Sequence, residues 1–266
     1  MFIFSREHDE FIRKQKKEKR VVIFFQIVIC ICFLIFWESL VHFSIINPFL
    51  FSSPSKILDT IVSLIKSGEL FQHIFITVWE VFLSFSLSTI LGIFIASLLW
   101  RFKILSKILD PYIVIINSLP KVALGPLIII WIGANIHSII FMALTISLFT
   151  TIITVYNGFI SVDKKYILLL KSFGANNYQI YKKVIFPSNL SLIFSTLKIN
   201  VSLSLIGVIM GELLVSKCGL GFLIMYGSQV FQLDLVISSV FILGVVSYLM
   251  YLVIDIVWIF LQRNKK

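Results

Sequence analysis

Six stretches of this chain are apolar over about twenty residues or more. They are Val21–Val41, Ile74–Trp100, the stretch that follows Asp110-Pro111 and reaches Ile132, Ser138–Asn157, Leu190–Gly211 and Leu235–Leu261. A run of this length can cross the hydrocarbon of a bilayer only as a helix, because lipid offers no partner to a free backbone N–H or C=O. The runs are continuous rather than alternating segments of about ten residues, which excludes a transmembrane barrel. Only 14% of the 266 residues are charged, against about 25% in a soluble domain. The expected fold is an all-α integral membrane protein with six transmembrane helices.

Charge gives the orientation. The net charge is +10, but the basic residues sit in the gaps between apolar runs, as the positive-inside bias of membrane proteins requires. This distribution argues against a nucleic-acid partner. Arg6, Arg13, Lys14, Lys16, Lys17, Lys19 and Arg20 form a basic leader over residues 1–20. Arg101, Lys103 and Lys107 mark a first cytoplasmic turn, and a third group extends from Lys164 to Lys198. The tail carries Arg263, Lys265 and Lys266. This arrangement puts 19 of the 23 Lys and Arg inside, with Lys56, Lys66 and Lys217 outside and Lys121 within a span. Both termini are therefore expected in the cytoplasm. A signal peptide is the competing reading of the first run, but the run is long and no small-x-small cleavage site follows. The chain divides into the leader, 1–20, and a six-span domain, 21–266, with its main cytoplasmic loop at 158–189.

Between the first two spans, Asn47-Pro48 and Ser53-Pro54-Ser55 break the chain. Lys56–Ser67 then has helical spacing of Ile57, Leu58, Ile61, Val62, Leu64 and Ile65, so an amphipathic helix at the outer surface is expected, capped by Ser53 or Ser55. In the third span Pro120, Gly125 and Pro126 fall close together and should distort the helix. Glu212, Lys217, Gly219, Gly221 and Asp234 read as an outer loop. Cys30, Cys32 and Cys218 are too few and too scattered for a disulfide framework, and His8, His42, His73 and His137 form no constellation. No cofactor or metal is expected.

The main cytoplasmic loop is a polar island, Asp163–Pro187, with five lysines, Gly174 and the Asn176-Asn177 pair. Asp163–Lys171 and Asn177–Ile185 can each form a short helix. Gly174 permits a tight turn between them, and Pro187 marks a boundary before the next span.

These residues carry a resemblance. Gly174-Ala175, Gln179, Lys182-Lys183-Val184 and Pro187 resemble the cytoplasmic loop of permease subunits of binding-protein-dependent ABC importers, in which an E-A-A run precedes a glycine. Pro54-Ser55, Gly68-Glu69-Leu70, Leu119–Leu124 with Pro126, Trp131-Ile132-Gly133, Gly211-Glu212 and Gly219–Ile224 follow in the family's order. The match spans about residues 50–262 and is closest to the sulfonate, taurine, nitrate and thiamine-precursor branch. The chain departs from the pattern where Leu168-Leu169-Leu170 replaces E-A-A. Lys164 also replaces a usual proline, Glu80 a common basic residue and Ser191 another proline.

The resemblance implies a type I, MetI-like importer-permease architecture in the cell membrane. It further implies two copies of a separate ATP-binding-cassette ATPase, an extracytoplasmic solute-binding protein and a second permease copy as partners within the lipid bilayer. The implied cargo is a small solute, such as a sulfonate, nitrate or small pyrimidine. The chain itself is expected not to be an enzyme, since G-x-x-x-x-G-K-[ST] occurs nowhere in it. The implied ATPase-coupling residues are Asp163, Lys171, Ser172, Phe173, Gly174, Ala175, Gln179, Lys182 and Pro187. Polar residues in spans are costly and are candidates for the translocation path: Asn117, Ser118, Lys121, Asn200, Ser202, Ser204 and Glu212. Lys121 suits an anion, or its ammonium snorkels toward the cytoplasm. Glu212 either contacts the binding protein or caps a helix. The alternative function is an ion-coupled secondary transporter or membrane enzyme, which should place acids in mid-span or group a catalytic set on one face.

Overall fold

The computed structural model describes residues 6–263. Residues 1–5 of the leader, and Lys265 and Lys266 of the tail, lie outside the described residues. The rest of the leader is not separate from the first span. Helix α1 runs unbroken over Arg6–His42, carrying the basic stretch directly into the apolar one. Short α2 (Pro48–Phe51) and amphipathic α3 (Pro54–Lys66) follow at the outer surface. Ser53 is the N-cap of α3: its Oγ accepts from the Lys56 N–H at 3.4 Å, with Pro54 in the first turn, where a missing N–H costs nothing. Ser55 does a different job. Its hydroxyl and N–H both donate to Glu38, at 2.9 and 3.1 Å, tying the outer end of α1 to α3.

Helix α4 (Glu69–Arg101) is 33 residues long, about 50 Å at 1.5 Å per residue, so its polar ends project beyond a hydrocarbon core of about 30 Å. After α5 (Lys103–Ser118) the chain breaks. Leu119 is extended, at φ −65° and ψ 142°, the conformation favoured for a residue before a proline. A 3₁₀ turn, Lys121–Leu124, then leads into α6 (Gly125–Ile132). The two halves meet at 84°. The expected distortion of the third span is thus a full break at Leu119-Pro120, while Pro111 is absorbed inside α5. Gly133, at φ +95°, closes α6, and Asn135 opens α7 (Ile136–Ile160) with a capping box to Ser138.

The cytoplasmic loop forms α8 (Lys164–Ser172), α9 (Asn177–Ile180), a π turn (Tyr181–Ile185) and α10 (Phe186–Ser188). The chain recrosses as α11 (Leu190–Val215), which extends past Gly211 and takes Glu212 into the helix. The outer loop expected to follow contains a helix of its own, α12 (Leu220–Gln229), before the last span, α13 (Leu233–Arg263). Among the described residues, α1, α4, α7, α11 and α13 are each long and apolar enough to cross a membrane, and the bent α5–α6 pair makes a sixth when its two halves are counted as one span.

Helix α7 is central, packed along α4 on one side and α11 on the other. Small residues allow these backbones to approach. A Cβ on Gly207 of α11 would lie 2.4 Å from the Ala143 Cα of α7, and one on Gly92 of α4 would lie 2.6 Å from the Thr151 methyl. Three apolar clusters stack through the bundle. The outer one joins Leu70, Leu220, Leu223 and Leu235, the middle one Val81, Ile139, Ala143 and Val208, and the cytoplasmic one Ala96, Val155, Phe159, Ile180, Ile185 and Ile193. Helix α1 stands largely apart, its main contacts being with α2 and α3 near its outer end, with its apolar side chains exposed to the surroundings that lipid would fill.

Lys198, counted above with the cytoplasmic lysines, lies inside α11. It forms an ion pair with Asp255 of α13 and sits 5.1 Å from the Tyr251 ring, as a charge within a span requires. In a background with Cys30, Cys32 and Cys218 replaced by alanine, cysteines at Lys165 and Lys217 are expected to react with a membrane-impermeant maleimide from opposite faces in sealed vesicles. Labelling of both from one face would overturn this topology.

Candidate coupling loop and translocation path

The tip of the cytoplasmic loop is built by standard helix ends. The Asp163 carboxylate accepts from the Lys165 N–H at 2.9 Å and opens α8. At the other end Gly174 takes φ +77°. Its N–H donates to the Lys171 carbonyl, and the Ala175 N–H donates to that of Leu170. This is the bond pair of a glycine-terminated helix. Asn176 then caps α9 reciprocally with Gln179: each backbone N–H donates to the other's side-chain oxygen, at 2.8 and 2.9 Å. Gln179 is therefore explained locally by capping. The turn leaves Phe173 at the apex, 79% exposed. Lys171 and Ser172 precede it and are also exposed, as is Lys182 in the π turn, and Pro187 lies further along in α10.

The base of the loop is fixed to the spans. Ile180 and Ile185 are fully buried. Between them the Tyr181 hydroxyl is 2.7 Å from that of Ser97 on α4, and its ring packs against Trp100 of α4, Phe159 of α7 and Phe186. The π turn places Tyr181 there, by slipping one residue in the helical ladder. Of the three leucines in place of E-A-A, Leu170 packs on the cytoplasmic apolar cluster, whereas Leu168 and Leu169 are exposed. The result is a stiff, partly apolar tip whose base is bonded to two membrane helices.

A second polar centre lies in the outer half of the bundle. His73, Thr77 and Glu80 fall on one face of α4, at i, i+4 and i+7. Glu212 projects from α11, and its carboxyl lies against that of Glu80. Both are almost wholly buried, at 2% and 1% exposure. These side chains receive the N-terminus of α12. His73 Nδ1 accepts from the Gly219 N–H at 2.9 Å, Thr77 Oγ1 from Leu220 at 2.9 Å, and Glu212 Oε2 from Gly221 at 2.6 Å. Thr77 also donates to Glu212 Oε1 at 2.6 Å. Three N–H groups that a helix start leaves without intrahelical partners are thereby satisfied. Gly219 and Gly221 are required here, because a Cβ on either would fall 2.4–2.7 Å from Glu212. Of the two roles open to Glu212 in the sequence, the structure shows the helix cap.

The remaining polar residues of the spans separate by exposure. Asn200 is buried and donates to Thr151 of α7 at 2.6 Å and to Thr89 of α4 at 3.4 Å. Ser204 is buried beside it in sequence, one turn on, while Ser202 is exposed on the other side of α11. At the break in the third span, Lys121 Nζ donates to Asn117 Oδ1 at 2.8 Å, and Ser118 bonds back to the Val114 carbonyl. Asn117 and Lys121 are half-buried and adjacent to exposed Leu119 and Val122. The broken span thus presents a lysine and an amide together.

The comparisons with known proteins decide the class. Residues 88–265 match the family described as "Binding-protein-dependent transport system inner membrane component". The chain belongs to this family. It is a permease of the ABC importer type, a multi-pass inner-membrane protein. Relatives include a Haemophilus influenzae protein named as an ABC transporter permease, 29% identical over 84% of this chain and 90% of the relative. A Bacillus subtilis protein named as an aliphatic sulfonates transport permease, SsuC, is 28% identical over 90% and 87%. The formylaminopyrimidine transport permease ThiX of Halalkalibacterium halodurans is 28% identical over 76% and 81%. A chain of the MetNI methionine ABC transporter, solved facing inward, shares the fold at a TM-score of 0.63 and 18% identity, over 71% of this chain and 94% of that one. The MetI-like architecture expected above is therefore observed.

In the sequence Glu80 stood out only as a replacement of a common basic residue and His73 as part of no constellation, and neither was joined to Glu212. The signal was the i, i+4, i+7 spacing of three polar residues on one face of an apolar span. Thr77→Val removes the shared hydroxyl, leaving the Leu220 N–H and Glu212 Oε1 each short of a partner at about 1–3 kcal/mol. Hydrogen exchange of the Gly219–Gly221 amides should accelerate by about five- to hundredfold in this variant. Unchanged protection would mean that this network does not hold α12.

Proposed function

We propose that this permease forms, with a second copy, the membrane path for a small solute, and that a separate ATP-binding-cassette ATPase drives it through the loop at Gly174. The observation that carries this reading is the form of the loop: an exposed Phe173 at the tip, and at the base a half-buried Tyr181 between fully buried Ile180 and Ile185. A soft loop could not pass on a push. Here the tip is capped on both sides, and the base is bonded to α4 and packed on α7, so a displacement at Phe173 becomes a displacement of two spans. ATPase closure would then switch the bundle between inward and outward openings as rigid bodies. Asp163, Ser172, Gly174, Ala175 and Gln179 shape the tip, and Phe173, Lys171 and Lys182 offer the contact. Exposed Leu168 and Leu169 favour a partner cleft that is apolar where other members of the family present an acid and small residues.

The solute is a small anion or a small pyrimidine delivered by an extracytoplasmic binding protein. The names of the SsuC and ThiX relatives support those two classes, and Lys121 beside Asn117 supports the anion. Lys121, Asn117, Ser118 and Ser202 are the residues we assign to the path. Asn200, Ser204 and Glu212 act behind it by holding α4, α7, α11 and α12 together. The buried Glu80–Glu212 pair would suit an ion-coupled carrier, but Glu212 is committed to capping α12, so the importer reading is retained.

When the permease is co-expressed with its cognate ATPase, Phe173→Ala and Gly174→Asp should each lower the ATPase recovered with it by about tenfold, the loss of one anchoring contact, with membrane insertion unchanged. Full recovery with both variants would refute the assignment of this loop.

A further inference from the structure

Where the cytoplasmic loop meets the α4–α5 turn there is a cavity of about 390 Å³. Its rim carries Arg101 and Lys103 at the turn, Lys107 on α5, and Lys164 and Lys171 on α8, five cations in all. No carboxylate lines it. Two acids close in sequence to lining residues are placed otherwise: Asp163 caps α8 through the Lys165 N–H, and Asp110 faces a smaller cavity that also borders Ser106 and Tyr156. Among the described residues the only ion pair is Lys198–Asp255, between α11 and α13, so none of the five rim cations is held in an ion pair there. Like charges gathered without a counter-charge repel one another, and positive-inside bias alone would not require them to converge on one concavity.

The floor is of different character. Leu99, Phe159, Ile160, Ile167 and Ile180 line it, with Trp100 and Tyr156 at its side. The Tyr156 hydroxyl is bonded to that of Ser106, which pins α5 to α7 and holds the cavity's shape. An apolar floor beneath a cationic rim, at the level where the spans leave the cytoplasmic leaflet, matches a molecule with a phosphate head and a hydrocarbon body.

We propose that this cavity is a binding site for a phosphate-bearing anion, and that its occupant is an anionic phospholipid of the cytoplasmic leaflet. Basic pockets between membrane helices on this side are suited to such headgroups. The apolar floor favours the lipid over free phosphate, which shares the head chemistry but has nothing to place on Ile160 and Ile167. Lys164 and Lys171 belong to the same helix as the loop tip, so a bound lipid would join α8 to the α4–α5 turn. Lys171 is shared with the ATPase contact proposed above, but the other four cations are not, and a test on Lys103 and Lys107 lets the site stand or fall independently of that function.

The test uses the full-length permease in detergent, titrated with phosphatidylglycerol or phosphatidylcholine and read by native mass spectrometry. Wild type should retain one phosphatidylglycerol per chain in preference to phosphatidylcholine. Lys103→Gln/Lys107→Gln should weaken that retention by at least about tenfold, given about fivefold for each basic residue. Lys103→Arg/Lys107→Arg should keep it. The charge-matched Lys165→Gln/Lys183→Gln, outside the cavity, should also keep it, which separates the site from general charge loss and from misfolding. If phosphatidylglycerol shows no preference but 10 mM inorganic phosphate raises the unfolding temperature of wild type and not of Lys103→Gln/Lys107→Gln, the anion site stands and its occupant is free phosphate. If neither ligand distinguishes wild type from that variant, the proposal is overturned.

Discussion

The packing of Ile180, Tyr181 and Ile185 against α4 and α7 is the contact on which the order of the cytoplasmic loop depends. Everything beyond it in the cytoplasm is a short helix pair with no core of its own. The helices α8 and α9, of nine and four residues, are too short to be stable alone in water. They are ordered because their inner faces complete the apolar cluster of Ala96, Val155, Phe159 and Ile193, and because the Ser97–Tyr181 hydrogen bond fixes the approach. On the coupling role proposed for this loop, removing that base would leave a tip that could still touch a partner but could not move the spans.

The outer end uses the opposite means. Where the cytoplasmic loop is held by apolar burial, α12 is held by polar groups inside the bundle. His73, Thr77 and Glu212 replace water at the start of a helix that enters a dry environment, and an unpartnered N–H there would cost several times what it costs at a surface. Between the two ends, α7 contacts α4 and α11 through glycine and alanine positions that permit backbone approach. One rigid core therefore links a cytoplasmic tip to an outer polar cap, which is the arrangement a transporter needs if force applied on one side is to be felt on the other.

Much of this was legible in the sequence. The bilayer makes apolar run length decisive, so the existence and order of the spans could be read directly, as could the helix–glycine–helix form around Gly174. Three features could not. The break at Leu119-Pro120 was visible as two prolines, but its 84° bend depends on which proline ends the helix, and Pro111 shows that a proline can also be absorbed. Helix α12 was read as loop because Gly219 and Gly221 resemble punctuation. They are small in order to admit the Glu212 carboxyl. Lys198 was counted as cytoplasmic because its partner, Asp255, is 57 residues away, and no local pattern announces such a pair. For α12 and Lys198 the missing information was a contact between distant segments.

The most direct test of the account is a photocrosslink. A benzoylphenylalanine incorporated at Phe173, in the permease assembled with its cognate ATPase in membranes, should crosslink to the ATPase subunit in high yield. The same probe at Lys217, on the outer side, should not. Strong ATP-dependent uptake together with no crosslink from position 173 would contradict the claim that force enters the membrane through this loop.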